Sequence, residues 1–197
     1  TFNFTGKTMY VGVNKDGSEE LNGKYDELRI WDIARSSASI GKAMTKQQLG
    51  NEANLVGYYP FHCGSLNDES ASGNNLTKVG TVTTGQTGSD IYLKEYALDV
   101  DGTDDKGFVT GPITGSGDFT IEFQFQTTDN GASAHRRVIG WTSNRLEMAI
   151  RNGVLVVYHS SGGWKVVSGG GYNDGNWHHV AAIKKGSDIK YYIDGAY

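Results

Sequence analysis

The feature that most constrains this chain is the run Asp118-Phe119-Thr120-Ile121-Glu122-Phe123-Gln124-Phe125-Gln126, where apolar and polar residues alternate without a break. A period of two belongs to a β-strand with one buried and one wet face. Gly115-Ser116-Gly117 precedes the run and Asp129-Asn130-Gly131 follows it, so turns bound it on both sides. Shorter apolar runs with the same punctuation lie at 138–141, 146–151, 154–159, 164–167, 177–184 and 190–193. Asn152-Gly153 joins two of them as a type I′ hairpin turn. Strands are also expected at 2–4, 9–13, 24–31 and 55–61.

Composition agrees with this reading. Twenty-eight glycines stand against two prolines with no Gly-X-Y period, which suits many tight turns and not a collagenous chain. The 197 residues suit one large β-sandwich or barrel as a single domain. One helix is expected, over about 37–48, starting at a serine with Ile40, Ala43 and Met44 on one face; it reads as a lid on the sandwich. Segment 66–88 is polar, with one strand near 79–82. The fold class that follows is all-β with one short helix.

A net charge of −4 and a pI of about 5.7 argue against a nucleic-acid partner, which needs a basic face to neutralise phosphates. They also disfavour attraction to anionic membranes, and no run of 18 apolar residues exists to insert into one. The single cysteine, Cys63, excludes an internal disulfide framework; it is left as a free thiol or an intermolecular bridge.

Several segments together resemble laminin-G-like domains of the concanavalin A-like lectin/glucanase superfamily, which implies a two-sheet antiparallel jelly-roll sandwich with one short helix. Gly117-Asp118-Phe119-Thr120-Ile121-Glu122-Phe123, Trp177-His178-His179-Val180-Ala181 and Tyr191-Tyr192-Ile193-Asp194-Gly195 resemble the first half of such a domain. Tyr25-Asp26-Glu27-Leu28-Arg29-Ile30-Trp31 resembles its end. Leu55-Val56-Gly57-Tyr58-Tyr59-Pro60-Phe61 and Ala97-Leu98-Asp99-Val100-Asp101-Gly102 resemble its start.

The order is therefore unusual: residues 1–53 correspond to the C-terminal part of a domain and 54–197 to its N-terminal part. Two explanations fit. The domain is circularly permuted, or the chain is one period of a tandem array whose neighbouring copies complete each other by strand complementation. A start without Met and a stop after Asp194-Gly195, inside a hairpin, favour the array.

Catalysis is not expected. Glycosidases of this superfamily need two carboxylates across the sugar, and Glu122 stands without a partner on its strand. No G-x-S-x-G, H-E-x-x-H or P-loop occurs. His178 and His179 are strand neighbours and so point to opposite faces, which does not suit one shared ion.

The acidic stretch Asp99-Val100-Asp101-Gly102-Thr103-Asp104-Asp105 reads as a solvated turn or a cation site. The resemblance implies a structural calcium held by Asp101 and the Gly102 carbonyl with Asp26. For sugar stacking the candidates are Trp164, Tyr172 and Trp141, each near a glycine-rich turn, with packing as the alternative; Trp177 is expected in the core. Asn3-Phe4-Thr5 and Asn75-Leu76-Thr77 fit the glycosylation pattern.

The function expected is a non-catalytic extracellular module for adhesion or carbohydrate recognition. It would be secreted or at the cell surface, as a repeat of a large adhesin or filament, with a glycan or cell-surface ligand as partner. The alternatives are a fibre repeat without a ligand and a non-catalytic appendage of a polysaccharide-degrading enzyme.

Overall fold

The computed structural model describes residues 4–14, 16–83, 97–113, 115–132, 134–142, 146–159, 162–167 and 169–196, apart from the side chain of Cys63. The thiol, the Asn3 glycosylation pattern and most of the 2–4 strand thus lie outside the described residues. In chain order the elements are β1 (Thr8–Val11), β2 (Asn22–Trp31), α1 (Ser37–Ala43), β3 (Leu55–Tyr59), β4 (Thr77–Val79), β5 (Leu98–Asp101) and β6 (Lys106–Thr110). β7 (Phe119–Gln126), β8 (Arg136–Trp141), β9 (Leu146–Arg151), β10 (Val154–His159), β11 (Gly163–Val166), β12 (Trp177–Lys185) and β13 (Asp188–Ile193) follow.

They form two antiparallel sheets. One has seven strands in the order β11-β10-β9-β8-β1-β6-β4. The other runs β13-β12-β7-β2-β3, with β5 also paired to β2. The expected two-sheet sandwich with one short helix is what the chain adopts. The alternating run at 119–126 lies inside the second sheet, between β12 and β2. Its odd positions Phe119, Ile121, Phe123 and Phe125 point into the core, each side chain contributing about 1.5–3 kcal/mol by burial.

Each of the first two strands is interior to its own sheet. β1 lies between β6 and β8, and β2 between β7 and β3. Phe4 is buried edge-on against Phe119 and Trp141, with centroids 5.3 and 5.2 Å away.

β2 carries a bulge. Asp26 pairs with Gln124 and Arg29 with Glu122, so the chain spends three steps on β2 against two on β7. Glu27 takes the extra position with φ 53°, a left-handed conformation uncommon outside glycine. Tyr25 and Leu28 therefore both face the core, while Asp26, Glu27, Arg29 and Trp31 fall on the sheet's outer side.

That outer side is roofed. Ser36 caps α1 by accepting the Ser39 N–H at 3.1 Å, and Ile40 packs on Ala181 and Ile183. The expected lid is thus present, but it is shorter than 37–48. Just past its end, Arg29 donates to the Ala43 and Lys46 carbonyls and Gln124 donates to Met44 O at 3.0 Å. These side-chain donors hold the carbonyls against the sheet and take the place of further helical bonds. The strand expected at 79–82 sits earlier, at 77–79, where it pairs with Lys106–Phe108. Trp177 is half-buried, not part of the core.

Candidate functional site

One transverse row of residues crosses the whole seven-stranded sheet. The register pairs Thr77 with Phe108, Phe108 with Tyr10, Tyr10 with Gly140, Gly140 with Glu147, Glu147 with Tyr158 and Tyr158 with Trp164. Directly opposed residues share a face. Their chain neighbours Met9, Val11, Val109, Met148 and Val157 belong to the core, so the row lies on the outer face. Six interstrand steps make it about 29 Å long.

Four of the seven members are aromatic, and all four are partly exposed. Tyr10 and Phe108 have ring centroids 6.1 Å apart, and Tyr158 and Trp164 5.4 Å apart. Between the two pairs lie Gly140, which has no side chain, and Glu147, the one charged member. Glu147 is buried, with a carboxylate oxygen 2.7 Å from Arg137 Nε. A second Arg137 nitrogen is 2.8 Å from Glu19, so the positive and negative charges beneath the row are mutually paired.

Of the sequence-predicted aromatics, only Trp164 lies on this row. His135 stacks on it at 3.9 Å and 16°, and the Arg137 guanidinium lies 4.7 Å from its ring centre. Burial followed by the nearby Arg137 and Arg151 charges lowers the His135 pKa, despite the opposing effect of Glu19. Trp141 is a correction: it is 1% exposed, deep between the sheets against Phe4, and offers no face to a sugar. Tyr172 packs against the core and meets His178 edge-on at 5.1 Å and 88°, away from the row.

Tyr10, Phe108 and Tyr158 were not singled out by sequence reasoning. Their signal is an aromatic in the outward phase of a short strand, as in Met9-Tyr10-Val11. The alignment itself was hidden, because β1 and β6 pair across about a hundred residues of chain.

The acidic turn does form a cluster. Ligand atoms of Asp101, Asp104 and Asp105 lie within 4.8 Å of one another. Asp105 is buried and accepts the Asp101 N–H at 3.2 Å; Asp101 accepts the Thr103 N–H at 2.8 Å. Burial, opposed by Lys24 and reinforced by Asp105 and Asp101, raises the Asp99 pKa. Hard carboxylate oxygens at this spacing suit a calcium ion.

Asp26 is not among them, which corrects the expected ligand set. The β2 residue opposite Asp101 is Asn22, and Asp26 lies four residues further on, about 13 Å along the strand. It is buried on the outer face of the same sheet, accepting the Glu27 N–H at 2.8 Å.

Two further polar centres lie on the second sheet. Under the lid, Glu122 is fully buried. It accepts from the Trp31 indole at 2.8 Å and from Arg35, and His179 Nε2 lies 3.4 Å from its other oxygen. At the sandwich end, His178 is held between Asp194 at 2.9 Å and Asp174 at 3.1 Å. The two histidines point to opposite faces, as expected.

Residues 101–197 match a laminin-G family model described as the concanavalin A-like lectin/glucanases superfamily. With the two-sheet sandwich, this shows the expected superfamily over that segment. No curated protein and no solved structure matches the chain. At the level of the superfamily, the fold is that of a carbohydrate-binding or adhesion-type module. Laminin-G-like domains are generally non-catalytic and typically extracellular, although the wider superfamily includes glycosidases. Among the described residues no helix is long and apolar enough to cross a membrane.

Proposed function

We propose that this chain is a non-catalytic, extracellular carbohydrate-recognition module that binds glycan across the outer face of its seven-stranded sheet. The observation that carries this reading is the row running from Phe108 through Tyr10, Gly140, Glu147 and Tyr158 to Trp164. Partly exposed aromatic rings in line present apolar surface to the C–H faces of pyranose rings. The paired charges of Glu147, Arg137 and Glu19 fix the floor beneath them.

A calcium ion at Asp101, Asp104 and Asp105, with the Gly102 carbonyl, would tie the β5–β6 turn down as a structural element. Residues 1–53 and 54–197 are read as two parts of one sandwich in permuted order. The interior positions of β1 and β2 support this. Adhesion in a larger surface protein is the setting in which such a module acts.

The test is affinity electrophoresis through gels holding neutral polysaccharides, comparing the protein with Tyr10→Ala and Tyr158→Ala. Retardation of the parent that each variant weakens at least about tenfold supports the reading. Equal mobility of all three in every gel refutes it, and leaves the ligand-free fibre repeat.

A further inference from the structure

Resting on that glycan reading, we infer that the face recognises an internal stretch of an unbranched, neutral glycan, bridging two separate aromatic platforms. Monosaccharides and chain ends are not its ligands.

The platforms are Tyr10 with Phe108 and Tyr158 with Trp164. Between Tyr10 and Tyr158 lie three interstrand steps, about 14 Å. A pyranose ring in an extended chain covers about one such step, so touching both platforms takes at least four rings in a row. In the gap Gly140 projects no side chain, and Glu147 is covered by Arg137, whose guanidinium lies against the Trp164 ring, so no free charged group stands between the platforms. Recognition of a single terminal sugar needs convergent polar groups around one ring. Here the rings are spread along a line that runs from one side of the sheet to the other.

The neutrality follows from the ion pairs. Glu147 is the only charged residue in the row, and Arg137 neutralises it at 2.7 Å. Arg137 is committed a second time to Glu19 at 2.8 Å, and its guanidinium also lies over Trp164. The row thus presents no spare cation to a uronate or sulfate, and a chain carrying repeated anions would lie over a buried carboxylate.

Two weak platforms joined through one ligand gain by effective concentration, by about 10²-fold or more over either alone. The experiment is titration calorimetry with disaccharides and hexasaccharides of the cello-, manno- and xylo-series, with polygalacturonate as the charged comparison. The expected result is a hexasaccharide of at least one neutral series binding about 10²-fold more tightly than its disaccharide.

Gly140→Phe supplies the control, because it blocks the gap and leaves both platforms intact. A Cβ at Gly140 would sit 3.4 Å from Glu147 Cγ, an ordinary contact, and a thermal melt of the variant checks that it folds. It is expected to reduce hexasaccharide affinity to that of the disaccharide. A disaccharide that binds as well as the hexasaccharide, while Tyr10→Ala still weakens both, overturns the bridging inference and leaves the glycan reading standing. Binding of polygalacturonate alone overturns the neutral assignment. Binding of no sugar in any series sinks the glycan reading and this inference with it.

Discussion

Replacing Glu122 by leucine isolates what holds the lid to the second sheet. The carboxylate is fully buried and serves the Trp31 indole at 2.8 Å, the Arg35 guanidinium and His179 at 3.4 Å. Removing one partner of a buried ion pair costs about 3–5 kcal/mol, because the other charge is left without compensation. The Arg35 side chain keeps 11% of its exposure and lies over Trp31 at 4.1 Å, so part of its charge regains water. That places Glu122→Leu at the lower end, about 3 kcal/mol. For a domain of this size the loss lowers Tm by about 6–12 °C. Glu122→Gln keeps the shape and an acceptor for the indole, and is expected to cost about 1–2 kcal/mol. Burial raises the Glu122 pKa, but the His179 hydrogen bond and the charges of Arg29 and Arg35 outweigh it, and the net shift is downward. Its contribution is therefore present above the ordinary carboxylate range and lost as pH falls through the lowered value. Urea unfolding followed by tryptophan fluorescence, at neutral and acid pH, measures all three proteins. A leucine variant as stable as the parent, or less damaging than glutamine, refutes the reasoning.

Two other outcomes are expected. Burial lowers the His178 pKa, but its hydrogen bonds to Asp194 and Asp174 prevail and raise it overall, while the Asn176 and His178 hydrogen bonds draw Asp174 down to about 2. The His178 contribution is complete below its unfolded value of about 6.5 and fades as pH rises through the raised one. His178→Ala should then destabilise more at pH 5.5 than at pH 9, and equal losses in thermal melts would contradict the clamp. If calcium binds at the acidic turn, a hundredfold excess over Kd adds about 2.7 kcal/mol and raises Tm. Asp104→Asn should abolish that response while Asp26→Asn keeps it, and a parent indifferent to chelation disposes of the site.

Much of the sandwich was legible because its strands are local patterns. The Asn152-Gly153 hairpin joins β9 and β10 at the expected residues, and the alternation over 119–126 gave β7 its core face. Helix α1 was legible at its serine start and not at its end, because Arg29 and Gln124 reach its last carbonyls from elsewhere in the chain. Lys106–Thr110 went unread as a strand: it is five residues long and has Gly107 inside it. Trp141 was misjudged because a nearby turn says nothing of which side of the sheet a ring occupies. The aromatic row depended on register between strands about a hundred residues apart, such as Tyr10 with Phe108, which no local pattern encodes.

The extra residue at Glu27 sets the phase of everything after it in β2. Upstream of it Tyr25 faces the core; downstream Leu28 and Ile30 do, and Arg29 and Trp31 meet the lid. Drawing the ladder straight with Glu27 retained would turn the second half of the strand over, driving a guanidinium into the core and two aliphatic side chains under the helix. Removing Glu27 leaves Asp26 and Leu28 in plain alternation, with Leu28 and Ile30 still inside. The bulge thus absorbs one residue of surplus length, and a further insertion here, unlike a deletion, reverses which residues belong to the inside.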